Sequence, residues 1–214
     1  MLALFDLDNT LIDRQGGLED WVRDFARSRC LPPGAASVIV GQLRDRAFPT
    51  HFVKLRDAFA LRDSAEELWH EYVDGMASAT RCVPGAREGL LALRRAGWKL
   101  GLVTNGAGDI QRAKLEKAGL ADTFHGTYIS EEVGVRKPGR ALFETAAAGC
   151  GRTLSAGGWM IGDNPETDIE GGRAAGLRTI WIAAGRQWPS DVPPPDVVVK
   201  DAREAIAWLA ARPR

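Results

Sequence analysis

The sequence predicts an α/β fold: a mostly parallel sheet covered by helices on both faces, with an all-helical segment inserted near its start. Three observations carry this expectation. Short apolar runs alternate with stretches whose apolar residues recur at helical spacing, and that alternation implies parallel crossovers. Between the first apolar run and the next lies a long stretch, from about residue 14 to residue 80, with four helical patterns and no strand-like run. The chain shows neither an internal repeat nor a low-complexity tract, so the alternation belongs to one core.

Leu2-Ala3-Leu4-Phe5 is the first strand and ends at Asp6. Helices are expected over 18–29, 35–46, 52–61 and 65–77. Trp21, Val22 and Phe25 share a face by their i, i+3, i+4 spacing, as do Leu68, Trp69, Tyr72, Val73 and Met76. Pro32-Pro33-Gly34 and Asp63-Ser64 punctuate these helices, and Ser64 with Glu67 three residues on reads as a capping box. Gly16-Gly17, just past the entry to the insert, reads as a hinge or a loop. The core resumes with a helix over 84–96 closed by Gly97 and a strand over 98–103 ending at Thr104-Asn105-Gly106. A helix over 109–118, a short strand over 127–129 and a helix over 141–148 follow. A strand over 159–161 then runs into Gly162-Asp163, and the next helix spans about 167–176. A strand over 179–183, the turn Pro193-Pro194-Pro195, the strand Val197-Val198-Val199 and a helix holding Ala205, Ile206, Trp208 and Leu209 close the chain. The expected domains are therefore an α/β core of residues 1–13 and 81–214 and a helical insert of residues 14–80. A module tied by two crossings can swing as a hinged lid.

With 214 residues, 45% of them hydrophobic and 26% charged, the composition is that of an ordinary globular chain able to bury a core. Lys+Arg and Asp+Glu both number 28, which argues against nucleic acid or an anionic membrane as partner. Cys30, Cys82 and Cys150 are an odd set far apart in sequence, and read as reduced thiols rather than as disulfides or zinc ligands. No apolar run approaches a membrane span, and the N-terminus meets Asp6 without a basic segment before it, so the expected setting is cytoplasmic. The sequence sets no oligomeric state.

Ligands of open parallel sheets sit at the carboxyl ends of the strands. After the first strand come Asp6, Asp8 and Thr10; after the second, Thr104 and Asn105; after the strand over 159–161, Asp163, Asn164 and Asp168. Arg136-Lys137-Pro138 lies between these groups. Carboxylates gathered at one edge repel one another, and a divalent cation offsets that repulsion. Mg²⁺ takes one or two carboxylates and leaves its other positions to water and phosphate. The set suits phosphoryl transfer, because a cation and a lysine ammonium cancel the repulsion between a phosphate monoester and an attacking carboxylate. Of two acids at alternate positions, one can attack as nucleophile. The other can protonate the leaving oxygen and then deprotonate water.

Asp6-Leu7-Asp8-Asn9-Thr10-Leu11 resembles the first signature of the haloacid dehalogenase-like (HAD) superfamily. Val103-Thr104-Asn105-Gly106 resembles its second, Arg136-Lys137-Pro138 its third, and Gly162-Asp163-Asn164-Pro165-Glu166-Thr167-Asp168 its fourth. All four stand in the family's order, which is far more specific than any one of them. The resemblance implies a three-layer Rossmann-like core with an inserted α-helical cap domain over the active site. It implies that Asp6 is the nucleophile and forms an aspartyl-phosphate, and that Asp8 is the general acid/base, with its backbone carbonyl on Mg²⁺. Thr104 and Lys137 are implied to bind the phosphoryl group, with Asn105 and Gly106 as further donors. Asp163 is implied to join Asp6 and Asp8 at the Mg²⁺ cofactor, and Asp168 to support Lys137 or the metal's water shell. The family's dehalogenases lack an acid where Asp8 stands, and its phosphonate-cleaving members use a cap lysine, whereas this insert holds only Lys54. A phosphatase acting on a small phosphorylated metabolite is therefore favoured. Two other readings share the motifs: phosphoryl transfer between two hydroxyls, as in the family's mutases, and a non-catalytic phosphate-binding regulator.

Some features read more simply. Asp168 can serve as an N-cap for the helix that follows it. The seven tryptophans, Trp188 included, read as packing residues. His51, His70 and His125 are isolated. Arg44, Arg46, His51, Lys54 and Arg56 form a cationic stretch, usually a solvated face, from which one or two residues can read a substrate's leaving group.

Overall fold

The computed structural model describes residues 1–212. Six strands form one sheet in the order β3-β2-β1-β4-β5-β6, and every pairing is parallel. They are β1 (Leu2–Phe5), β2 (Lys99–Thr104), β3 (Gly126–Ile129), β4 (Trp159–Gly162), β5 (Arg178–Ile182) and β6 (Val197–Val199). Strand alternation divides the core in two. Ala3 and Phe5 face Leu90 and Leu93 of α5 (Ala86–Arg95) and Ile206 and Leu209 of α10 (Ala202–Ala210). Leu2 and Leu4 face Leu142, Phe143 and Ala146 of α8 (Arg140–Gly149). The chain builds outward from β1 to one side and then crosses to the other at β4. Such a switch point opens a crevice beyond the carboxyl ends of β1, β2 and β4.

Between β1 and α5 run α1 (Arg14–Ser28), α2 (Ala35–Leu43), α3 (Pro49–Phe59) and α4 (Ala65–Ala79). They bury a cluster of their own around Trp21, Phe52, Trp69 and Tyr72, with T-shaped and tilted ring contacts. The Trp21 and Tyr72 centroids stand 5.0 Å apart, within the range where such pairs attract beyond area burial. Ala107 and Ile110, the latter at the start of α6 (Gly108–Lys117), complete the cluster, and the Trp69 indole donates to Asp109 Oδ2 at 2.7 Å. The entry and exit of this segment pair with each other: Asp13 donates to the Arg81 carbonyl, and Val83 to that of Leu11. No helix among the described residues is long and apolar enough to cross a membrane.

Four local expectations are corrected. Gly16 and Gly17 lie in the first turn of α1, which starts at Arg14 because the Asp13 carboxylate caps it by accepting from Gly16 N–H at 2.9 Å. The helix expected over 35–46 stops at Leu43, because the buried Arg14 guanidinium donates to the carbonyls of Leu43 (2.7 Å) and Arg44 and takes the place of further helical turns. The helix expected over 167–176 is a π-turn, Pro165–Glu170, leading into the short α9 (Gly171–Ala174). Asn164 caps that turn by accepting from Glu166 and Thr167, so Asp168 is not its N-cap. Trp188 packs edge-on against Trp181, and Cys30 (exposed), Cys82 (half-buried) and Cys150 (buried) are free thiols.

A Cβ at Gly75 in α4 would fall 2.1 Å from Trp21 Cδ1, on a buried indole with no room to retreat. Alanine ordinarily favours a helix over glycine, but this overlap decides the sign. Gly75→Ala is expected to destabilise the protein by about 1–3 kcal/mol, read as a drop in Tm, while an unchanged or higher Tm would refute the packing.

Candidate active site

Each strand end delivers its residue by local backbone geometry. Asp6 N–H donates to Ile161 at 2.9 Å, the last bond of the β1–β4 ladder. The Leu7 carbonyl then accepts from Thr10, Leu11 and Ile12, with Asn9 at φ 57°. This tight turn keeps Asp6 and Asp8 at the mouth of the sheet. Thr10 Oγ1 donates to Asp6 Oδ2 at 3.3 Å. Lys137 arrives from the loop before α8 and is held by its backbone: Asn105 accepts its N–H at 2.9 Å and donates to its carbonyl at 3.0 Å. The Asn105 side-chain amide is thus engaged by Lys137, and Gly106 N–H by Ser130 Oγ at 3.1 Å. Asn105 also lines the cavity described below.

The Lys137 ammonium is 2% exposed and bridges Asp6 Oδ1 at 2.6 Å and Asp168 Oδ1 at 2.7 Å. The second oxygen of Asp168 accepts from Asn164 N–H at 3.0 Å, so this carboxylate fixes the lysine and the turn at once. Asp163 pairs with Arg186 at 3.1 Å. Its carbonyl accepts from the Trp181 indole at 2.8 Å. One carboxylate oxygen each of Asp6, Asp163 and Asp168 lies within 4.8 Å of the others. The carboxylate of Asp8 is not in this group; it turns to Lys114, whose ammonium donates at 2.9 Å, and to Gln111 at 3.1 Å.

Charge and burial compete throughout. Burial lowers the Lys137 pKa, but Asp168 and Asp6 outweigh it and hold the ammonium above the usual lysine range. Burial drives Asp6 well above the usual carboxylate range; Lys137 opposes this, while Asp168 and Asp163 add to it. Burial, reinforced by Asp168, pushes Asp163 up to about 6 against Arg186 and Lys137. Burial also acts to raise Asp8, but Lys114 and Arg14 prevail and its carboxyl lies below the usual range. Even with Lys137 on Asp6 and Arg186 on Asp163, burial leaves both carboxyls above their usual range. Hard oxygen donors lacking charge compensation fit a small divalent cation such as Mg²⁺.

These groups open on a cavity of about 440 Å³ that is also lined by Thr104, Arg14, Arg44, Asp45, Arg46, Arg136 and Arg186. Of the cationic stretch, Arg44 and Arg46 reach the cavity. His51 instead accepts the Phe48 N–H, and Arg56 pairs with its neighbour Asp57. Sequence reasoning missed Gln111, Lys114, Arg14 and Arg186. Gln111 and Lys114 stand three apart on α6, and the available signal was two polar residues on the face that also carries Ile110 and Leu115.

A doubly wound parallel sheet whose switch point holds clustered carboxylates and a buried lysine beside an open polar cavity defines an α/β enzyme with a site for an anionic ligand. The haloacid dehalogenase-like hydrolase model matches residues 1–176, and the chain belongs to that family. It is 36% identical over 184 residues to a phosphoserine phosphatase of Thermus thermophilus, covering 84% of this chain and 71% of that protein. It is 29% identical over 205 residues to a glyceraldehyde 3-phosphate phosphatase of Pyrococcus abyssi, covering 86% and 82%. Among solved structures, the magnesium-bound HAD-hydrolase YfnB of Bacillus subtilis shares the fold, with a TM-score of 0.75, 24% identity and 98% of each chain covered.

The raised pKa of Asp163 has a stability consequence. A carboxyl that ionises near 4 when unfolded and near 6 when folded makes the folded state lose stability as pH rises between those values. In metal-free protein, Asp163→Asn is expected to melt above wild type at pH 7.5 and to converge with it below pH 4. A variant that melts lower at pH 7.5 would show that the Arg186 pair outweighs the repulsion.

Proposed function

We propose that the protein is a Mg²⁺-dependent phosphatase that hydrolyses a small phosphate monoester through an aspartyl-phosphate. The observation that carries this reading is the pairing of two differently supported acids two residues apart: Asp6 on the Lys137 ammonium beside Asp163, and Asp8 on Lys114. An Asp6 carboxylate oxygen attacks phosphorus and the bond from phosphorus to the leaving oxygen breaks, while Asp8, which has to enter this step protonated against the pull of Lys114, gives that oxygen its proton. Water then attacks the phosphorus of the acyl phosphate and yields a proton to Asp8, releasing inorganic phosphate and restoring Asp6. Lys137 offsets charge on the attacking and transferring groups, and the Thr104 hydroxyl holds a phosphoryl oxygen. Asp6, Asp163 and the Asp8 carbonyl are the residues that would hold Mg²⁺, which supplies neutralisation of the phosphoryl charge. Asp168 acts through Lys137. Asn105 acts by fixing the Lys137 backbone, and Gly106 lies in the same loop.

Residues 14–80 act as the cap over this cavity, and Arg44 and Arg46 are the cap residues that meet the leaving group. The substrate is a small phosphorylated metabolite; phosphoserine and glyceraldehyde 3-phosphate, named for the two relatives, are the first to assay. Water as acceptor separates this reading from a mutase, and an intact set of acids and lysine separates it from a binding protein without activity.

Asp6→Asn is expected to abolish Mg²⁺-dependent phosphate release while leaving the melting transition cooperative; near-wild-type turnover would remove Asp6 as nucleophile. Asp8→Asn is expected to lower steady-state turnover by about 10²–10⁴-fold, or to accumulate acid-stable phosphate on the protein. Unchanged kinetics would remove its acid/base role. Chelation with EDTA is expected to stop turnover and added Mg²⁺ to restore it, whereas activity that survives thorough chelation would exclude the metal.

A further inference from the structure

A buried lysine and a buried glutamine converge on Asp8 from α6, and phosphoryl transfer as described above uses neither. The Lys114 side chain is 2% exposed, and its ammonium donates to Asp8 Oδ1 at 2.9 Å, Asp8 Oδ2 at 3.2 Å and Gln111 Oε1 at 2.9 Å. Gln111, equally buried, donates from Nε2 to Asp8 Oδ2 at 3.1 Å and to Thr104 Oγ1 at 2.6 Å. The amide is thereby fully used and its orientation leaves no choice. Room for it comes from Gly106, where a Cβ would lie 2.8 Å from Gln111 Cγ. Burying an ammonium with a carboxylate stabilises a fold no better than a well-packed apolar pair does, so stability alone does not account for the set.

We propose that Lys114 and Gln111 are positioning residues for proton transfer, holding the Asp8 carboxylate in one orientation and tying it to Thr104. The inference rests on the reading of Asp8 as proton donor to the leaving oxygen. A free aspartate rotates about two side-chain bonds, whereas proton transfer needs its oxygen within hydrogen-bond reach of the leaving atom. Two donors on Asp8 Oδ2 and one on Oδ1 remove that freedom. Because Thr104 Oγ1 accepts from Gln111, its own hydrogen points elsewhere and is free for a phosphoryl oxygen in the cavity that Thr104 and Asp8 both line. Gln111 thus sets the direction of the acid and of the phosphoryl-holding hydroxyl together.

The test compares two esters that differ in their need for a proton. Full-length wild type, Lys114→Met, Gln111→Leu and Asp8→Asn are assayed with Mg²⁺ on glycerol 2-phosphate, whose alkoxide requires protonation, and on 4-nitrophenyl phosphate, whose phenolate does not. In both α6 variants kcat/KM for the alkyl ester is expected to fall about 100-fold and that for the aryl ester less than tenfold, with Asp8→Asn showing the same selectivity. Equal losses on both esters, or no loss on either, would overturn the positioning role. Absence of selectivity in Asp8→Asn itself would overturn the acid assignment beneath it, and the two failures are thereby distinguished. Thermal melting reports whether each variant folds; if Lys114→Met does not, Gln111→Leu, which keeps the ion pair, carries the comparison.

Discussion

The contact of the buried Lys137 ammonium with Asp6 and Asp168 is the constraint on which the rest of the site depends. Three largely buried carboxylates whose oxygens come within 4.8 Å of one another repel strongly at the end of the sheet. The lysine neutralises part of that charge; burial first, and the neighbouring carboxylates second, still displace Asp6 and Asp163 upward. What remains is a site that is electrostatically incomplete by design of its donors, and hard oxygen atoms define the kind of cation that completes it. The lysine needs its own scaffold, which is why Asn105 spends both ends of its amide on the Lys137 backbone and Asp168 spends its second oxygen on the turn after β4.

Asp6 and Asp8 are chemically identical and two residues apart, yet they experience opposite fields. Asp6 lies among other carboxylates; Asp8 lies against Lys114, with Arg14 contributing. A nucleophile must be ionised and a proton donor protonated, so in the metal-free protein these two environments run opposite to the roles proposed for the two acids. Arg14 links this difference to the helical segment, since its guanidinium also ends α2 by taking the carbonyls of Leu43 and Arg44. The short irregular stretch that follows brings Arg44, Asp45 and Arg46 to the cavity wall. The same interaction therefore terminates a helix and shapes the side of the cavity away from the sheet.

Much of this was legible in the sequence because it is encoded over short distances. Strands β1, β2, β4 and β5, the capping box at Ser64 and Glu67, and the helices around Trp21 and Trp69 each follow from the pattern of a few neighbouring residues. Asp6, Asp8, Thr104, Lys137, Asp163 and Asp168 were singled out because each stands at a strand end or in a loop of distinctive composition, and the parallel sheet brings those positions to one edge. Where the reading went astray, it did so where one side chain's hydrogen bonds outweigh composition and periodicity. Gly16 and Gly17 carry the composition of a loop, but the Asp13 cap draws them into α1. The π-turn at Pro165–Glu170 likewise follows from the Asn164 cap and the fixed Asp168 rather than from periodicity.

By itself, then, the sequence determined the order of elements, the early helical insertion and the residue types at the sheet edge, since local periodicity and turn chemistry depend on neighbours along the chain. Only the tertiary structure decided which side chains those residues meet. Lys114 finds Asp8 across 106 positions and Lys137 finds Asp6 across 131, and no local pattern names either partner. Such pairings arise from the packing of α6 and the loop before α8 against the sheet, where excluding water makes an unpaired charge intolerable and so selects its partner.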